Sequence, residues 1–92
     1  MGTYKDLMEL AIKREFGVLG REKTFAALEK LGLKVNEKGQ VLNMPTDGKD
    51  VLGKFLMDLG QEHGLWAVLG AKITLLKAAR EYNLELPEIL RR

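Results

Sequence analysis

The sequence predicts a mainly α domain of α+β class: four helices around a central β-hairpin, in the order α-α-β-β-α-α. Three observations lead there. Apolar residues recur at helical spacing in four separate segments. The turn-forming "NEKG", residues 36–39, lies between short apolar and β-branched stretches. Gly32 and Asn83 stand where two of the helices should stop. At 92 residues, one compact domain spanning 1–92 is expected.

The first helix starts at Thr3, an N-cap followed three residues later by Asp6 in place of the Glu or Gln of a full capping box. Tyr4, Leu7, Met8, Ala11, Ile12 and Phe16 share one side of it, and Asp6, Glu9 and Lys13 the other. Gly17 and Gly20 bracket a turn. "REKTFAALEKL" forms the second helix, burying Phe25, Leu28 and Leu31 and ending at a left-handed Gly32. Leu33, Val35 and Val41 read as strand material, with Gly39 closing the hairpin in the left-handed region. Thr46 or Asp47 caps a third helix over about 48–62, whose core face is Val51, Leu52, Phe55, Leu56 and Leu59. Gly64 separates it from a fourth helix over about 65–82. Pro87 forbids simple continuation beyond Asn83. The tail "LELPEILRR" is apolar enough to dock.

A weak internal repeat runs beneath this order. "EKLGLKV" and "REYNLEL" match in character position by position, "LMEL" matches "LMDL", and "VLG" recurs. Two units of helix, helix and strand would account for it, and they predict a short third strand near 84–86. The plainer account is that helices with similar stops look alike.

Composition narrows function mainly by exclusion. With no cysteine, the chain has neither disulfides nor thiolate metal ligands, which suits a reducing cytoplasm. The net charge of +2 is too small to argue for nucleic acid by itself. Abundant Lys, Arg and Glu resemble thermophile usage. The apolar run 64–76, "GLWAVLGAKITLL", is shorter than the ~20 residues a membrane span requires. No zinc motif, phosphate loop or cofactor fingerprint is present. His63, the only histidine, belongs at the end of the third helix, where it can meet the last carbonyls. Asp47 and Asp50 fall at a helix start, where acids are favoured anyway. The reading is therefore non-catalytic, with no cofactor and no metal.

The fourth helix carries the functional argument. At about 100° per residue, Leu65, Trp66, Leu69, Ile73 and Leu76 form a large apolar face. Ala67, Ala71, Ala78, Val68, Leu75 and Tyr82 form a second face of mostly smaller residues. Gly70, Thr74, Lys77 and Glu81 make the polar strip, and Lys72 falls between the two apolar faces with its stem over apolar surface. A helix apolar on nearly all sides is central or meets another chain. The small face is assigned to packing within the chain, and Leu65, Trp66, Leu69, Ile73 and Leu76 to a partner. For Trp66, an ordinary core aromatic is the alternative. The expected function is an interaction or regulatory module, homodimeric through helix 65–82. The alternative is a small DNA- or RNA-binding protein using a basic hairpin around residues 34–40, with Lys34, Lys38 and Lys49 as nucleic-acid contacts.

Overall fold

The computed structural model describes residues 2–44 and 47–87. Four helices make up the fold: α1 (Tyr4–Val18), α2 (Arg21–Lys30), α3 (Gly48–His63) and α4 (Trp66–Tyr82). Pro45, Thr46 and the tail 88–92 lie outside the described residues.

Local chemistry sets the helix ends. The Thr3 hydroxyl accepts from the Asp6 N–H at 3.4 Å, and the Asp6 carboxylate accepts from the Thr3 N–H at 2.7 Å. Aspartate therefore completes the capping box despite its shorter reach. Asp47 caps α3 through the Asp50 N–H. At the other ends, Gly32 (φ 74°) and Asn83 (φ 57°) are both left-handed. The Leu33 N–H reaches the Leu28 carbonyl and the Leu84 N–H reaches the Ala79 carbonyl, so the two repeat halves share one C-terminal motif. The repeat fails at "VLG": Val18–Gly20 ends a helix and forms a turn, whereas Val68–Gly70 lies inside α4.

The expected β-hairpin is not formed, and among the described residues the fold is all-α. Residues 33–44 make one isolated bridge, Val35 to Val41. The turn itself is present. Gly39 is left-handed at φ 84°, and the Asn36 carboxamide oxygen accepts from the Lys38 and Gln40 N–H groups. The ladder stops at Lys34, where a side chain captures its donor. Leu42 N–H bonds the Lys34 carbonyl, but the Lys34 N–H that would complete that pair goes to Asn43 Oδ1 at 2.7 Å. Val41 N–H turns outward to Glu9 Oε2 on α1 at 2.8 Å. Residues 84–86 form no strand either: the Glu85 carbonyl accepts from the Tyr4 hydroxyl, and Leu86 is buried.

The core lies where α1, α3 and α4 meet. α4 packs most extensively on α1, then on α3, while α2 lies against α1 and α3. Leu7, Met8, Ala11 and Ile12 of α1 are sealed against Leu52, Phe55, Leu56 and Leu59 of α3 and Ala67, Ala71 and Leu75 of α4. Arg21 holds the 33–44 loop to this frame. Its guanidinium lies 4.7 Å from the Phe16 ring centre and 5.6 Å from that of Phe25, and it donates to the Glu37 carbonyl.

Gly48 marks the tightest approach at the start of α3. A Cβ there would sit 2.6 Å from Tyr4 Cβ and 2.9 Å from Met44 Cε. Tyr4 Cβ is fixed to the α1 backbone, so Gly48→Ala should cost ~1–3 kcal/mol by overpacking. Gly17, in α1, has nothing within 4 Å of such a Cβ, so Gly17→Ala should leave stability unchanged or raise it by up to ~1 kcal/mol. Urea denaturation of the two variants checks the contrast, and equal midpoints would contradict it.

Candidate interaction face

α4 divides into the two faces its sequence implies. Ala67, Val68, Ala71, Leu75, Ala78 and Ala79 are buried against α1 and α3. On the other side Leu65 is 77% exposed, Ile73 74%, Leu69 57%, Trp66 56% and Leu76 37%. All five large-face residues therefore lie at the surface of the single chain. Trp66 is not an ordinary core aromatic. It leans across Gly64, whose Cβ would meet the indole Cδ1 at 3.2 Å. The polar strip borders α1: a Cβ on Gly70 would meet the Arg14 guanidinium at 2.8 Å.

The exposed face extends onto α3. Met57, 48% exposed, joins Gly60 and Gln61 of α3 and Leu65, Val68, Leu69 and Lys72 of α4 around a groove of about 450 Å³. Sequence reasoning did not select Met57. Its signal is positional: on α3 it falls off the face of Leu52, Phe55, Leu56 and Leu59 and near Gly60, where the absent side chain opens the surface.

The helix start is unusual. Leu65 occupies the N-cap position of α4 and supplies no capping hydrogen bond. Its backbone is already helical, at φ −60° and ψ −30°, and it is the most exposed leucine among the described residues.

The three lysines of the nucleic-acid alternative are not brought to one wing. The paired strands of a wing are absent, as described above. Lys34 borders a groove with Phe25, Leu28, Glu29, Leu33, Val35 and Leu42. Lys38 is exposed on the turn. Lys49 lines a different groove, beside Asp47, Asp50 and Lys54, and pairs with Glu85 at 2.9 Å. His63 ends α3, as its sequence position implies, with Nε2 3.7 Å from Glu62 Oε2. Among the described residues no group of three or more His, Cys, Asp or Glu could hold a metal ion, and no helix is long and apolar enough to cross a membrane. No protein-family model, curated protein or solved structure matches the chain.

Glu15 is the residue that the sequence analysis passed over. It continues the buried side of α1 after Leu7, Met8, Ala11 and Ile12, and its side chain is inaccessible to solvent. Neither carboxyl oxygen has a hydrogen-bond partner. Thr24, the other buried polar side chain among the described residues, differs in bonding the Gly20 carbonyl at 2.8 Å. Burial pushes the Glu15 carboxyl up to about 7, against a smaller opposing pull from Arg14. The folded chain thus holds this proton more tightly than the unfolded chain does. Its effect on stability is most favourable below pH 4.5, declines as pH rises to about 7, and is level above that. The decline amounts to at most ~3 kcal/mol, an upper limit because water is close to any group in so small a domain. Glu15→Met should remove this slope and raise stability at pH 8, as read by urea midpoints at pH 5 and pH 8. An unchanged slope in the variant would assign the pH dependence to other groups.

Proposed function

We propose that the protein is a small non-catalytic interaction or regulatory module that pairs with a second copy of itself through the exposed face of α4. The observation that carries this reading is the exposure of Leu65, Trp66, Leu69 and Ile73 on a helix whose opposite side is buried. At ~200 Å² per large side chain, these residues with Leu76 and Met57 offer on the order of 600 Å² of apolar surface to water, near the upper end for a monomer. A specific interface covers about 800 Å² per partner, so this patch and its rim suffice for one. A second copy brings the same patch, and a two-fold axis lets each cover the other. A cytoplasmic location accords with the cysteine-free sequence.

Ile73→Glu should convert a dimer into a folded monomer, because it places a charge in the middle of the shared face without touching the core. Sedimentation velocity at high micromolar concentration, with circular dichroism as the check on folding, tests this. Wild-type Trp66 emission should shift to the red on dilution as the dimer separates. A wild type that sediments as a monomer at high micromolar concentration overturns the proposal.

A further inference from the structure

We propose that Trp66 of each copy inserts into the α3–α4 groove of the other, so that the two α4 helices run parallel about a two-fold axis lying along them. This deepens the pairing proposed above and rests on it. The groove is lined by Met57, Gly60 and Gln61 of α3 and by Leu65, Val68, Leu69 and Lys72 of α4. Viewed down α4 at about 100° per residue, Leu65, Val68 and Lys72 of the groove lie to one side of the line through Leu69, Ile73 and Leu76. Trp66 lies to the other side, at roughly the same angular distance. Both features sit in the first turns of the helix, at one level along it.

Symmetry then selects the arrangement. A two-fold axis along α4 carries each flank of the face onto the opposite flank at the same level. It therefore sets each Trp66 over the partner's groove, and the contact is made twice. A two-fold axis across α4 keeps the flanks and reverses the levels. Trp66 would then face the flank bearing Lys77, and the groove would receive no aromatic side chain. The groove's volume of about 450 Å³ gives an indole room. Its thioether and leucine walls offer the apolar contact that makes tryptophan a strong interface anchor. The interface therefore includes α3 as well as α4.

The chain has no cysteine, so single-cysteine variants report this geometry directly. Leu69 and Leu76 lie near the middle of the face and are not in the core cluster, so substitution there leaves the core intact. In the parallel dimer each position faces its own copy, so Leu69→Cys and Leu76→Cys should each oxidise to a self-linked disulfide dimer. In an antiparallel dimer crossing near Ile73, Leu69 faces Leu76 of the other copy. The two positions are about 10 Å apart along the helix, beyond the ~7 Å Cα limit of a disulfide. Cross-linking only in a mixture of the two variants would overturn the parallel arrangement while leaving the pairing intact. As a second readout, Met57→Lys should shift Trp66 emission to the red in the dimer, since Met57 lines the groove that receives it. Unchanged emission from an intact Met57→Lys dimer would also overturn the proposal. A monomeric wild type, with neither cysteine variant cross-linking alone or in a mixture, would remove the pairing itself.

Discussion

The small-residue face of α4 is the constraint on which the rest of the molecule depends. Ala67, Ala71, Ala78 and Ala79 are at most 7% exposed. Residues of this size let α1 and α3 come close to the α4 backbone, and side-chain size sets the separation of packed helices. With α1 and α3 drawn to one side of α4, no other described element covers the opposite side. The same packing that gives the domain its centre thus leaves Leu65, Leu69 and Ile73 in water. The chain ends reinforce this seating. A Cβ on Gly2 would collide with the Tyr82 ring, and the Tyr4 hydroxyl donates to the Glu85 carbonyl at 2.5 Å.

A core this small has little to spare, and Glu15 occupies part of it. An unpartnered buried carboxyl opposes folding wherever it must ionise. The cost falls when the proton stays on, which is what its raised proton affinity describes. Surface ion pairs do little to offset it. Lys30–Glu62, joining α2 to α3, and Lys54–Asp50 on α3 are both well exposed, and such pairs contribute weakly. Stability therefore rests on the contact of α1, α3 and α4 and on the caps that define their ends.

The 33–44 loop shows how tertiary contacts can override a local pattern. Its residues alternate well enough to suggest two strands, and its turn closes on a left-handed glycine. Yet a lone two-stranded hairpin is marginal, and the Asn43 side chain takes the Lys34 N–H that the ladder needs. The loop then packs Leu33 and Val41 into the core as a strap across α1 and α2.

The sequence by itself determined the four helices, their caps and the two faces of α4, because these depend on spacing within one element. Helical periodicity and the conformations open to Thr3, Gly32 and Asn83 need no knowledge of distant residues. The sequence also assigned the small face of α4 to packing within the chain; the tertiary structure supplied what covers it, α1 and α3 fitting against its alanines. It alone tied the 33–44 loop to α1, through an acceptor on Glu9 thirty-two residues away in the chain. It alone turned Glu15 into the core, and it alone brought Met57 beside Leu65 and Leu69 to form the groove. Periodicity says which residues share a side of a helix. What that side meets is settled by elements far off in sequence, whose approach is governed by shape.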